Sequence, residues 1–356
     1  MAKKDLRMKK LSSLIVNYSL NVKKGERILI MGQKIVEKYV KELEKHIKLK
    51  EAVPVSIIFE KDFEYNLMKS GNKKEIENLR NHILEIAKTT HAVIDIENDD
   101  SSYSNISSEK IKSYSLIMKP VWDYLVYAKH NYRRVTLLFP SESPAKDAKM
   151  SIKQFEDYVY SCCLLDWNAL SKKFRKINSL FDKGNYIHLI GEGIDLKLSI
   201  KGRNSILEAG KENMPGGEIY TAPIKDSLEG WVKFDFPAVR DGLEISGIFL
   251  KFKKGKIIKY SASKNQNILK SLIETDKGSR YIGEFAVGIN PNVNKVTSSW
   301  IDEKSAGTIH LAIGKSYEEN KGDNDSAVHF DIVRSMKRGK IILDNKIIFE
   351  NGKWLV

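Results

Sequence analysis

The chain has 356 residues, 42% hydrophobic and 30% charged, which excludes a disordered protein and allows two globular domains. Its 60 basic and 46 acidic side chains give a net charge of +14, but the lysines are interleaved with acidic residues, which favours a solvated surface over a nucleic-acid interface. Two adjacent cysteines, Cys162 and Cys163, cannot build a disulfide framework, and no apolar run reaches the roughly 18 residues that cross a bilayer. We therefore expect a cytoplasmic protein without a membrane partner.

The first half of the chain alternates strand-like and helix-like segments. Short apolar runs rich in β-branched residues predict strands at Arg27–Met31, Val53–Phe59, Ala92–Ile96 and Val135–Phe139. Amphipathic patterns predict helices at Val36–Lys48, Glu75–Lys88, Ser108–Tyr127 and Ser151–Leu165. This order is typical of right-handed βαβ units, so residues 1–180 are predicted to form an α/β domain with a mostly parallel sheet. The turn after the first strand has no glycine-rich or Walker pattern, so nucleotide binding is not indicated.

The second half has strand periodicity. In Ile194–Ile200, apolar residues alternate with Asp195, Lys197 and Ser199, as in a half-buried strand. Further strands are predicted at Gly230–Phe236, Leu243–Lys251, Ile257–Tyr260, Gly283–Ile289, Thr308–Ala312, Val328–Val333 and Ile341–Phe349, with one helix at Ile268–Lys277. Residues 181–356 are therefore predicted to form a β-rich, α+β domain.

Two histidines in this domain have neighbours that suggest chemistry. On a strand, His329 and Asp331 share one face and Phe330 takes the other, so the His and Asp side chains lie within about 7 Å of each other. They could share a metal ion or bind two adjacent ones, or they could form the polar face of an edge strand. His310 lies in a glycine-bounded strand and shares its face with small residues, which suggests space for a ligand, although a buried structural histidine is the alternative. The other histidines are predicted to be surface or structural residues: His46, His82, His91, His130 and His188.

Two glutamates complete the candidate set. Glu218 follows a Pro-Gly-Gly turn at 215–217, and Glu284 opens the apolar run at 285–289. A charge that leads into a buried strand costs several kcal/mol unless it is paired or metal-bound, although exposure at the strand edge would avoid that cost. Mixed carboxylates and imidazoles suit two divalent ions held roughly 3.5–4 Å apart by a bridging carboxylate. A structural zinc site would more often use cysteines, and this half of the chain has none.

At these residues the sequence resembles the thermophilic metallo-aminopeptidases of the aminopeptidase T and aminopeptidase S type. Four segments in the same order carry the resemblance: Asn213–Pro223, Gly283–Asn290, Asp302–Tyr317 and Val328–Asp331. The stretch Leu138–Asp166 is also similar, so the likeness extends over about residues 130–356 and includes the N-terminal third in outline.

The resemblance implies a role for each candidate. Its metal ligands correspond to Glu218, Glu284, His310, His329 and Asp331. Glu303 matches an acidic residue that acts as a ligand or as the general base, and Tyr317 matches a tyrosine able to hydrogen-bond the tetrahedral intermediate. It further implies two divalent ions per chain, zinc or cobalt, and a homodimer with a broad preference for N-terminal residues.

The predicted function is a metal-dependent aminopeptidase that hydrolyses peptide substrates with a water activated by two metal ions. No nucleic-acid partner is expected. Two alternatives stay open at this point: a non-enzymatic protein that binds metal or nucleic acid through the same β domain, and a two-metal hydrolase that acts on another amide or on a phosphoester.

Overall fold

A parallel sheet forms the N-terminal part of the protein. The computed structural model describes residues 6–98, 105–127, 132–240 and 243–356. The sheet contains β1 (Arg27–Gln33), β2 (Val53–Phe59), β3 (Ala92–Glu97) and β4 (Arg133–Leu138), which pair in the order β2-β1-β3-β4. All of these pairs are parallel, as the alternation of strands and helices predicted. A later strand, β8 (Asn213–Met214), extends the sheet beside β4.

The helices of this half are α1 (Leu6–Leu14), α2 (Glu37–Lys48), α3 (Phe63–Ser70), α4 (Lys73–Lys88), α5 (Ser108–Trp122), α6 (Glu142–Asp147), α7 (Ile152–Cys163) and α8 (Trp167–Lys183). Reciprocal capping boxes begin two of them: Asn72 and Glu75 at α4, and Ser151 and Gln154 at α7. A π-helical turn, Asp123–Tyr127, prolongs α5 towards the second half of the chain.

The C-terminal half is built from antiparallel sheets. An eight-stranded sheet has the order β14-β13-β10-β6-β5-β18-β19-β20. Its strands are β5 (Tyr186–Gly191), β6 (Ile194–Ser199), β10 (Glu229–Lys233), β13 (Phe249–Lys253), β14 (Lys256–Ser261), β18 (Gly339–Leu343), β19 (Lys346–Glu350) and β20 (Lys353–Trp354). A small hairpin, β11 (Ala238–Arg240) and β12 (Leu243–Ile245), and helix α9 (Gln266–Ile273) lie beside it.

A third, five-stranded sheet lies deepest in the protein. Its order is β17-β16-β15-β9-β7, from β7 (Ser205–Glu208), β9 (Glu218–Thr221), β15 (Ile282–Gly288), β16 (Thr308–Gly314) and β17 (His329–Ser335). Every residue of β9, β15 and β16 is buried. The predicted fold class, a parallel α/β part followed by a β-rich part, is confirmed.

Several local predictions were wrong. The runs Leu243–Lys251 and Ile341–Phe349 each form two strands instead of one. Gly247 interrupts the first run with a φ of +62°, and Asp344 and Asn345 turn the second with φ values of +47° and +68°, all outside the extended region. His46, predicted at the surface, is buried in α2, where its Nδ1 lies 2.8 Å from the carbonyl of Glu42. His130 lies outside the described residues.

One large apolar cluster joins the two halves, and it includes residues of α1, α7, α8 and all three main sheets. Strand β8 comes after residue 180 yet pairs with β4, so the proposed division at residue 180 stays a prediction. Among the described residues, no helix combines the length and the apolar character that crossing a membrane requires.

Candidate metal centre

Five of the predicted site residues share one face of the five-stranded sheet. Directly opposed residues of antiparallel strands project to the same face. His310 is opposite Ala286 and Val333, and Ala312 is opposite both Glu284 and Asp331. The same alternation adds the two outer members of the set: Glu218 is opposite Gly288, and His329 is opposite Gly314. Glycine and alanine therefore occupy the positions between the polar residues, which leaves room above the sheet.

His310 lies at the centre of the cluster and is 1% exposed. Its Nε2 atom is 3.1 Å from Glu284 Oε1, 3.3 Å from Glu218 Oε2 and 3.9 Å from Asp331 Oδ1. Three carboxylates from three different strands thus converge on one imidazole nitrogen.

His329 forms the outer end of the cluster. Its Nε2 lies 3.3 Å from Asp331 Oδ2 and 3.7 Å from Glu284 Oε2. Its Nδ1 lies 2.8 Å from the carbonyl oxygen of Lys315, to which it donates. A backbone acceptor of this kind fixes the tautomer of a metal-binding histidine and leaves Nε2 free to bind an ion.

Glu303 approaches from outside the sheet. The 3₁₀ helix Trp300–Lys304 precedes β16 and buries Glu303 and Lys304 beside the sheet residues. The Lys304 ammonium contacts Glu303 Oε1 at 2.6 Å and Glu218 Oε1 at 2.7 Å.

These side chains fit divalent ions. They form three overlapping groups whose ligand atoms lie within 4.8 Å of one another: Glu218, Glu284 and His310; Glu284, His329 and Asp331; Glu303, His310 and Asp331. Buried oxygens of three of the carboxylates, Glu218 Oε2, Glu303 Oε2 and Asp331 Oδ1, have no hydrogen-bond partner within the described part of the chain. Buried acceptors without donors are costly, and carboxylate and imidazole ligands are those that divalent metals prefer.

Known proteins show which family this chain belongs to. Residues 4–354 match the family described as thermophilic metalloprotease (M29). The chain belongs to this family. It is 26% identical to aminopeptidase AmpS of Bacillus subtilis (strain 168), over 96% of this chain and 97% of that protein. The predicted family is thereby confirmed, and with it the prediction of a metal-dependent aminopeptidase.

Solved structures show the same fold. Wild-type AmpT from Thermus thermophilus superposes with a TM-score of 0.82 at 20% identity, over 98% of this chain and 99% of the other. A 2,5-dihydroxypyridine dioxygenase from Pseudomonas putida KT2440 has a TM-score of 0.63 at 12% identity, over 99% and 98% of the two chains. The fold therefore also occurs in a protein described as a different enzyme.

The electrostatics of the candidate site follow from burying many carboxylates together. Burial raises the pKa of Glu303 to about 8, although the nearby Lys304 opposes the shift. Burial lowers the pKa of His310, but its contact with Glu284 and the surrounding carboxylates outweigh that effect and raise it to about 9. Burial raises the pKa of Asp331, but His329 overrides this and holds it well below its usual range. The cluster thus attracts positive charge, as a cation site requires.

Tyr317 lies beside this cluster, with its ring 5.2 Å from that of His329 and edge-on to it. The Arg134 guanidinium lies 5.2 Å from the centroid of the Tyr317 ring and 2.7 Å from Glu212. Burial raises the pKa of the Tyr317 hydroxyl, so the hydroxyl remains protonated and able to donate a hydrogen bond.

A cavity of about 820 Å³ opens in front of the cluster. Its wall includes Glu218, Glu284, Glu303, Tyr317, His329 and Asp331 from the C-terminal half. The opposite wall includes Gln33, Phe59 and Glu97, which are the last residues of β1, β2 and β3. Ligand sites of open α/β sheets commonly lie at this carboxyl end of the strands.

Sequence reasoning missed residues that support this site. Glu208, 1% exposed on β7, accepts hydrogen bonds from the backbone N–H groups of Lys211 at 2.6 Å and Gly217 at 2.9 Å. Glu208 therefore stabilises the turn that precedes Glu218 and so positions Glu218. Lys304 and Arg134 were missed as well, because a buried basic residue has the same sequence appearance as an exposed one. The adjacency of Lys304 to Glu303 was the one available signal.

Proposed function

We propose that this metalloprotease removes single residues from free peptide N-termini with a water activated between two divalent ions. The observation that carries the proposal is the overlap of the ligand groups: Glu284, His310 and Asp331 each belong to two of them. Overlapping groups are expected where two ions share ligands, as in two-metal hydrolases. We assign Glu218, Glu284, His310, His329 and Asp331 as the ligands.

Glu284 is suited to contact both ions. One of its oxygens, Oε1, lies 3.1 Å from His310 Nε2, and the other, Oε2, lies 3.7 Å from His329 Nε2. One carboxylate thus faces both histidines, so Glu284 would hold both ions. When bound, the ions would polarise the scissile carbonyl and lower the pKa of a water towards about 7.

Glu303 is our candidate general base. Its Oε2 is buried, lacks a hydrogen-bond partner among the described residues, and belongs to a side chain that lines the cavity. Burial raises its pKa to about 8, which makes the carboxylate a stronger base than a solvated glutamate. It would take the proton of the attacking water and return it to the leaving amine.

Tyr317 is our candidate donor to the tetrahedral intermediate. It lines the cavity beside His329, and burial keeps its hydroxyl protonated. A donor directed at the developing oxyanion stabilises the transition state more than the ground state.

The identity of the metal, the assembly and the location remain predictions. Zinc and cobalt suit the carboxylate and imidazole set, and the resemblance stated above implies a homodimer. The absence of a disulfide framework favours the cytoplasm. The two alternative functions are not supported by the family match.

Hydrolysis of leucyl-p-nitroanilide, with the protein as purified, after chelation, and after addition of Co²⁺ or Zn²⁺, tests the proposal. We expect activity that disappears with the metal and returns with it. Turnover that is unaffected by exhaustive chelation would refute the role of the ions. Metal-dependent cleavage of a phosphoester in place of the amide would favour the second alternative.

A further inference from the structure

Lys304 is the one buried lysine behind the proposed metal face in the described ranges, and it is 1% exposed. Fully buried lysines are rare unless they are paired. Lys304 ends the 3₁₀ helix Trp300–Lys304, and its ammonium lies 2.7 Å from Glu218 Oε1 and 2.6 Å from Glu303 Oε1. Its partners are thus one proposed ligand and the proposed base.

The carboxylates of Glu218 and Glu303 use their two oxygens in the same way. In each, Oε1 contacts Lys304, whereas the buried Oε2 has no hydrogen-bond partner in the part of the chain that the structure describes. Glu218 Oε2 lies 3.3 Å from His310 Nε2, on the side of the ligand groups. Lys304 therefore occupies one oxygen of each carboxylate and leaves the other oxygen for the metal pocket.

Neighbouring side chains also restrict Lys304 and its partner Glu218. Glu218 follows the turn that Glu208 fixes through backbone N–H groups, and Glu208 is itself buried beside this lysine charge. The Lys304 ammonium lies 5.9 Å from the centroid of the Trp300 ring. A side chain confined on these sides can hold its two carboxylates in one orientation.

We propose that Lys304 is a positioning residue of the metal centre. By holding Oε1 of Glu218 it would leave only Oε2 of this ligand for an ion, and by holding Oε1 of Glu303 it would leave Oε2 of the base for the reacting water. The inference rests on the proposed function, because it requires Glu218 to be a ligand and Glu303 to act on the water.

Three variants of the full-length protein test this, with Co²⁺ as the probe. Lys304→Met keeps the length of the side chain but removes both contacts. Lys304→Arg keeps the charge with a planar, longer donor. Lys340→Met, the control, removes a half-buried lysine that pairs with Glu350 at 2.8 Å in the eight-stranded sheet. For each protein, bound Co²⁺ per chain, the visible d–d absorption, kcat and KM are measured.

In Lys304→Met we expect unchanged Co²⁺ content and a weaker d–d absorption, because Glu218 becomes free to bind with both oxygens and raise the coordination number. We expect kcat to fall about 10²-fold with KM little changed, since a misdirected base costs about that much. Lys304→Arg should lie between Lys304→Met and the wild type in kcat, and Lys340→Met should match the wild type.

Wild-type absorption and kcat in Lys304→Met would overturn the proposal. So would an additional Co²⁺ in that variant, because Lys304 would then occupy an ion position. If Lys304→Met does not fold, Lys304→Arg decides: full wild-type absorption and kcat would show that charge alone suffices and would refute positioning. A wild-type protein that binds no Co²⁺ would instead refute the proposed function itself.

Discussion

Three consecutive residues of β17 divide between the proposed metal site and the core. His329 and Asp331 face the ligand cluster, and Phe330 projects to the other face opposite Ile313. We expect His329→Ala or Asp331→Ala to lower activity at least about 100-fold and to reduce bound metal, because changes in the partners of ligands alone cost 10–100-fold. Phe330→Ala should leave the ligands in place but destabilise the fold.

The expected stability changes follow from burial. Phe330 is 5% exposed, so its truncation to alanine should cost about 3–5 kcal/mol and lower the thermal midpoint by several degrees. Asp331→Ala removes the contact with His329 at 3.3 Å. It also removes a repulsion from Glu284 and Glu303, whose pKa values are raised mainly by burial and further by the Asp331 charge. These effects oppose each other, so its effect on the fold should be small.

The assay measures kcat/KM, metal per chain and thermal midpoint for each variant. His188→Ala is a matched control, because His188 also lies on a strand and contacts an aspartate, Asp195, at 2.7 Å, but belongs to the eight-stranded sheet. It should keep its metal and its activity. Wild-type turnover in both His329→Ala and Asp331→Ala would refute the ligand assignment.

Three further predictions follow from the site. Tyr317→Phe should lower kcat about 10²–10³-fold with metal content unchanged, as expected for loss of an oxyanion donor. The control, Tyr186→Phe, changes a residue that is 62% exposed and should leave kcat unchanged. Equal kcat in the two variants would show that Tyr317 has no role in the mechanism. A peptide should be cleaved and its N-acetylated twin left intact, and cleavage of both would indicate an endopeptidase. After chelation, the stability of the fold should fall as pH rises from 6.5 to about 9. Burial lowers the pKa of His310, but Glu284 and the other carboxylates around it raise this pKa to about 9. The stabilisation by protonated His310 is therefore complete below pH 6.5 and is lost as pH rises to about 9. His310→Gln should flatten this slope of thermal midpoint against pH, and identical slopes would contradict the pKa.

The sequence predicted the fold class because each half of the chain has its own apolar period. Runs of β-branched residues between amphipathic helices led to the parallel sheet, and alternation from residue 186 onwards led to the β-rich part. Successive strands were predicted as one strand where the break between them depends on a positive φ, as at Gly247, because the pattern of apolar residues does not show such a break. The edge strand β8 was missed because its partner, β4, is distant in sequence.

Part of the candidate site could also be predicted from the sequence. The i, i+2 spacing of His329 and Asp331 indicates a shared face whatever the partner strand. Which strands then lie side by side is decided by long-range pairing, so the approach of Glu218 to His310 could be inferred only through family resemblance. Lys304 could not be recognised, because among 60 basic residues only its adjacency to Glu303 set it apart, and that adjacency does not show whether the ammonium is buried.

The stoichiometry of bound metal tests whether the protein holds two ions. Gently purified protein is analysed for metal, stripped with a chelator, and titrated with Zn²⁺ or Co²⁺ while aminopeptidase turnover is followed. We expect two ions per chain, with turnover that tracks their return. Full activity in the stripped protein, or saturation of both binding and turnover at a single ion, would contradict this expectation.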